Sequence, residues 1–202
     1  MPRLPALLFP EPTGADAGGE ADDLDAMRFP TGVLKRRGRN LVELRATALF
    51  MAVVRGNVAE VRSLLQRGAD ENTGRDDGRT PFMAAALDFG WPEAEEMLRL
   101  FLPDALVDRQ DEDGFTVLML ACKTESLALV QFLVEEAEVD KNVQSIKDGS
   151  TALHTAVAAN RVEIVRYLLE AGANRTLVNR EGKTPRQLAE ERGFAEVAAL
   201  FE

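Results

Sequence analysis

One six-residue motif returns five times along this 202-residue chain, and its near-constant spacing leaves few folds open. It reads Thr-Ala-Leu-Phe-Met-Ala from Thr47, Thr-Pro-Phe-Met-Ala-Ala from Thr80 and Thr-Val-Leu-Met-Leu-Ala from Thr116. It returns as Thr-Ala-Leu-His-Thr-Ala from Thr151 and Thr-Pro-Arg-Gln-Leu-Ala from Thr184, the intervals being 33, 36, 35 and 33 residues. A period of that size marks a supersecondary unit repeated in tandem. Each unit is too small to bury its own apolar stripe and takes its core from its neighbours.

The residues around the motif give the anatomy of the unit. Gly78, Gly114, Gly149 and Gly182 each stand two residues before the threonine, where a turn with positive φ is needed. The threonine hydroxyl can accept from the orphan N–H groups of a following helix, and Pro81 and Pro185 fall at the first helical position. In the fourth copy Leu153, Ala156 and Val157 form a helical apolar stripe that Asn160 ends, as Gly56, Gly90 and Gly193 end the comparable segments. A second helix follows, with Val162, Ile164, Val165, Leu168 and Leu169 on one face, closed by Gly172. The predicted unit is turn, short helix, tight loop, second helix, loop.

Residues Gly149 to Asn174 are similar to the ankyrin consensus at nearly every structural position, and Thr47 to Asp70 almost as closely. The resemblance covers residues 41–202, with copies at about 44–77, 78–113, 114–148, 149–181 and 182–202. It implies an all-α fold, an ankyrin-repeat solenoid of helix–turn–helix units with β-turn or hairpin tips. Three departures stand out. The second copy carries about three extra residues around Asp88 to Trp91, and Pro103 cuts its outer helix. The third has Glu125 for the loop glycine and is about two residues longer before Gly149. The fifth is short, with Leu188, Val197, Leu200 and Phe201 left to face its neighbour and Glu190, Glu191 and Arg192 suited to a wet capping side. Leu41, Val42 and Leu44 are expected to lengthen the first helix as an N-terminal cap.

Residues 1–40 differ in texture. They hold five of the nine prolines, an acidic and glycine-rich stretch from Glu11 to Asp25, and the cluster Lys35, Arg36, Arg37 and Arg39. Lacking helical or strand periodicity, the segment reads as disordered. The basic cluster reads as a solvated linker, with a nuclear-import signal or a docking peptide the alternatives. A formal net charge of −10 and a pI of about 4.8 disfavour nucleic acid and anionic membrane as partners. The run Leu4 to Phe9 is too short and proline-broken for a secretory leader, and no window reaches the length of a membrane span. With the single Cys122, the expectation is a cytoplasmic protein, monomeric by itself.

The resemblance implies a concave face made by the tips and the shorter helices, on which ankyrin proteins hold partner proteins. Carried onto this chain, the variable tip positions are Asp76, Asp77 and Arg79; Glu112, Asp113 and Phe115; Lys147, Asp148 and Ser150; and Arg180, Glu181 and Lys183. The facing helix positions are Val54, Arg55, Asp88, Lys123, Thr124, Ala158 and Ala159. Phe115 is either an exposed anchor or folded back on a neighbouring tip; Phe89 and Trp91 either contact a partner or pack over the longer loop. The acidic tips around Asp76 to Asp113 would favour a partner with a basic segment.

No signal for chemistry competes. His154 holds the family's structural histidine position, where the side chain bonds backbone between repeats; no cysteine or carboxylate is in register with it for metal. Cys122 falls at a core-facing helix position. Gly182-Lys183-Thr184 resembles the end of a phosphate loop, but Leu177 stands where the first glycine is needed. Asn174-Arg175-Thr176 fits a glycosylation acceptor in a chain without a secretory signal. The expectation is therefore no catalysis, cofactor or metal. A protein-interaction adaptor comes first, and a regulatory or inhibitory subunit acting through residues 1–40 is the alternative.

Overall fold

In the computed structural model the described residues are 41–88 and 93–202. The expected disorder of residues 1–40, the basic cluster within them, and Phe89, Gly90 and Trp91 lie outside these. Among the described residues ten helices form: α1 (Leu41–Val54), α2 (Val58–Gln66), α3 (Pro81–Asp88), α4 (Glu93–Phe101), α5 (Val117–Ala121), α6 (Leu127–Glu135), α7 (Ala152–Ala158), α8 (Val162–Glu170), α9 (Pro185–Glu191) and α10 (Ala195–Ala199). The described residues contain no strand. The helices pair in sequence, and each first helix packs on the next, α1 on α3, α3 on α5, α5 on α7 and α7 on α9. Among the second helices α2 packs on α4, α6 on α8 and α8 on α10, while α4 and α6 touch least.

The threonines act as predicted. The hydroxyls of Thr80, Thr116, Thr151 and Thr184 accept from the amides of Met83, Met119, His154 and Gln187, and Pro185 opens α9. In two copies the third helical residue answers: the Thr151 amide donates to His154 Nδ1 and the Thr184 amide to Gln187 Oε1. Each such capping box satisfies two orphan donors. Leu153, Ala156, Val157, Ile164, Val165 and Leu168 are buried, with Val162 and Leu169 half-buried beside them. Leu188, Val197 and Phe201 seal the last repeat, with Leu200 half-buried. Glu190, Glu191 and Arg192 are exposed, and the Arg192 guanidinium also reaches back to the carbonyl of Ala158 at 2.8 Å.

The two extra residues of the third repeat lie in different places. One follows α6, where the Val139 amide reaches back six residues to the Leu133 carbonyl; Ala69 and Ala173 reach back five, to Leu64 and Leu168. There Glu138 takes a left-handed φ of 51°, while glycines hold the comparable turns at Gly68 and Gly172. An L side chain in that region costs roughly 1–2 kcal/mol, so Glu138→Gly is expected to stabilise the chain by about 1 kcal/mol after glycine's own entropy cost. A higher urea midpoint at unchanged slope is the result that checks it.

Candidate partner-binding face

Four hairpin tips join the units. The first closes where the Arg75 amide donates to the Arg79 carbonyl (2.9 Å), the second between Asp111 and Phe115 (3.0 Å), the fourth between Asn179 and Lys183 (3.0 Å). The third holds the other extra residue and closes over six positions, Ser145 to Ser150 at 2.9 Å. Adjacent tips are then tied by backbone: the Glu112 amide donates to the Asp77 carbonyl (3.0 Å), and that of Arg180 to Asp148 (2.8 Å). Gly78 allows the first tie. Its φ is 76°, and a Cβ there would stand 2.8 Å from the Glu112 nitrogen.

Behind the tips runs a ladder that motif reading missed. The Asn72 side chain accepts from the Leu106 amide (2.7 Å) and donates to the Asp104 carbonyl (2.9 Å). Asp108 accepts from the Asp140 amide at 3.0 Å, and Asn142 from the Asn174 amide at 2.8 Å. Gln110 clamps the next loop, accepting from the Ile146 amide (2.8 Å) and donating to the Gln144 carbonyl (3.0 Å). Gln144 donates onward to the carbonyls of Val178 and Gly149, both at 2.9 Å. Asn72, Asp108 and Thr176 each precede the next motif threonine by eight residues and Asn142 by nine. That recurrence was the available signal, and the ninth residue marks the insertion.

Tips and first-helix ends share a surface, because Lys123 Nζ sits 3.4 Å from the Phe115 ring centroid and Lys183 Nζ bonds Glu191 at 2.6 Å and Glu181 at 2.9 Å. On it Asp76, Glu112, Asp113, Lys147, Asp148, Arg180 and Glu181 are exposed, and Asp77, Arg79, Ser150 and Lys183 are half-buried. Arg55 and Lys123 are exposed as well, Thr124, Ala158 and Ala159 half-buried, and Val54 stands 44% exposed. Asp88 ends α3, and its side chain lies outside the description, as does Trp91. Phe115 is half-buried against the core beneath Lys123. Sequence-distant partners thus decide its exposure, and it serves the fold as well as the surface.

Several tip charges are engaged. The hydrogen bond and charge of Lys147 hold the Asp113 carboxyl below its ordinary range, at 2.7 Å. For Asp148, partial burial works upward, but bonds from the Ser150 amide and hydroxyl, from Ser145 and from backbone together outweigh it and the carboxyl stays low. Glu191 and then Glu181 push Lys183 up. By contrast, no salt bridge engages the carboxylates of Asp76, Asp77 or Glu112 among the described residues.

His154, Cys122 and Tyr167 are each held by the fold. His154 is fully buried; burial lowers its pKa against the opposing effect of the Lys183 carbonyl, which Nε2 approaches at 3.0 Å. The Thr151 amide donates to Nδ1, so Nε2 carries the proton and donates, tying the fourth repeat to the fifth. Cys122 is fully buried, and desolvation pushes its thiol well above the ordinary value, which leaves little thiolate. Burial and then Glu135 push the Tyr167 hydroxyl up to about 12; it donates to that carboxylate at 2.9 Å, bridging α8 to α6. The described residues hold no cluster of three or more metal-ligating side chains and no helix long and apolar enough to cross a membrane.

A stack of helical hairpins with a continuous row of solvent-facing tips is a repeat scaffold of the protein-interaction class. The chain belongs to the ankyrin-repeat family: that family's description, ankyrin repeats in three copies, matches residues 49–145, 92–179 and 137–201. The chain is 34% identical over 164 residues to the ankyrin repeat protein YahD of Escherichia coli K12, covering 77% of this chain and 78% of that protein. It is 29% identical over 160 residues to an NF-kappa-B nuclear factor subunit of Gallus gallus, covering 79% of this chain and 16% of that one. With human neurogenic locus notch homolog protein 1 it shares 33% over 146 residues, 71% of this chain and 5% of that one. The chain thus spans most of the bacterial relative and a small part of the two animal proteins. Ankyrin repeats are protein-interaction modules.

Proposed function

We propose that this chain is a non-enzymatic adaptor that holds a partner protein across its tips and first-helix ends, and that the partner presents a basic segment to the first two tips. The observation that supports this reading is the contrast along the tip row. Asp113, Lys147, Glu181 and Lys183 are neutralised by one another or by Glu191, while the carboxylates of Asp76, Asp77 and Glu112 carry no such pair among the described residues, with Arg75 and Arg79 standing in the same first tip. Unpaired rim charge of one sign steers an oppositely charged partner and sets its register. No cofactor, metal, nucleic acid or membrane enters the reading, and the site of action is the cytoplasm.

The alternative, an inhibitory subunit acting through residues 1–40, is separated from it by truncation. Deleting residues 1–40 is expected to leave both affinity and effect on the partner intact, measured by calorimetry and by the partner's own activity. A truncated chain that still binds but no longer alters the partner would transfer the function to the N-terminal segment.

A further inference from the structure

Between the second and third repeats the stack is joined differently from its other joints. The third tip carries its extra residue there, and the amides that would reach the second tip are turned inward: those of Lys147 and Asp148 point to the Ser145 hydroxyl at 3.2 and 3.5 Å. No backbone bond therefore ties tips 111–115 and 145–150, although the flanking tip pairs have one each. On the opposite side α4 and α6 touch least of the neighbouring second helices. In the ladder, the amide side chain of Asn72 and Asn142 is replaced by Asp108, a carboxylate facing the carboxylate of Asp140. Partial burial and that like charge push the Asp108 carboxyl up, against the Asp140 amide that lowers it.

Besides the Gln110 and Asp108 hydrogen bonds of the ladder, each edge of the joint is spanned by an ion pair. In front, Lys147 meets Asp113 at 2.7 Å with side chains 54% and 74% exposed. Behind, the Arg99 guanidinium lies over the Phe132 ring at 5.4 Å, donates to Glu136 at 2.7 Å, and is steadied by Glu95 at 2.8 Å. We propose that this joint is a hinge, with the α3–α5 packing as its pivot and the Lys147–Asp113 and Arg99–Glu136 pairs as latches on its two edges, so that the angle between the first two and the last three repeats responds to ionic strength. The inference concerns the free chain and does not rest on the function proposed above. It gives the partner face a variable curvature, since tips 75–79 and 111–115 sit on one arm and tips 145–150 and 179–183 on the other.

Solvent-exposed pairs of this kind weaken as the Debye length falls from about 10 Å at 0.1 M salt to about 3 Å at 1 M, whereas the pivot is apolar and does not. Spin labels read the angle directly. Cysteines at Glu96 and Arg166 place one probe on α4 and one on α8, spanning the joint; a control pair at Gln131 and Glu196 spans only the later joints. Native Cys122 is buried and does not compete for label. The distance distribution of the first pair is expected to broaden about twofold between 0.1 and 1 M salt, and the control pair to stay fixed. Arg99→Met with Lys147→Met should give the broad distribution already at 0.1 M; Lys147→Met alone, a surface change, should go part of the way. A narrow, salt-independent distance across the joint would overturn the proposal. So would equal broadening of both pairs, because the softness would then belong to the whole stack.

Discussion

Truncating Leu168 to alanine is expected to cost about 3–5 kcal/mol, while the same change at Leu106 stays within about 0.5 kcal/mol. Leu168 is fully buried on α8, between the first helix of its own repeat and the second helices on either side, and its carbonyl accepts the Ala173 amide that closes the repeat at 2.9 Å. Leu106 is 60% exposed and contributes to the ladder through its backbone amide alone. The chemistry removed is identical, so the difference isolates burial. A stack also transmits the loss. Each repeat is stable only with its neighbours, and a weakened fourth repeat loosens the fifth, which rests on it. The urea transition of Leu168→Ala should therefore shift to lower denaturant and flatten, whereas that of Leu106→Ala should superimpose on the parent. Equal shifts for the two variants would mean that core and surface have been misassigned across the repeats.

That assignment could be made from the chain alone because the repeat phase constrains every copy at once. A single Thr-Ala-Leu-His is a weak signal; five copies in register place Leu153, Val165 and Leu168 on apolar faces without a structure. Phase fails where a copy departs from it. The third repeat is visibly long, but length does not say where the chain absorbs the excess, and it does so twice, after α6 and in the tip. The first insertion is masked because Glu138, not glycine, takes the left-handed turn. The ladder of Asn72, Asp108 and Asn142 was hidden by chemistry rather than position, since amide and carboxylate make the same amide-accepting bond and read as different residues. The candidate face was legible as a set of positions and not as a surface. Whether Asp76 is free and Asp113 engaged depends on Lys147, 34 residues beyond Asp113 in the sequence. Whether Phe115 is bare depends on Lys123.

Reversing Asp76 and Glu112 to arginine together is expected to weaken the partner complex about 30-fold to 100-fold while leaving the melting temperature unchanged. The separation of the two effects follows from the structure. Asp76 and Glu112 are exposed; the Glu112 amide ties its tip to the one before, but neither carboxylate takes part in a bond or pair of the fold. Phe115→Glu would be a poorer probe, because the ring is packed against the core and its loss would change stability with affinity. Two reversals on the rim replace attraction by repulsion, and juxtaposed like charges cost on the order of 2–3 kcal/mol in total for the pair, mostly as slower association. The affinity of the parent should accordingly fall with added salt and that of the variant should not. Glu170→Arg with Glu196→Arg, the same charge change on the second helices, is the control and should bind as the parent does. A double tip variant that binds like the parent would remove the basic partner from the proposal. A control that loses affinity equally would reduce the effect to net charge and move the search for the interface to the second helices.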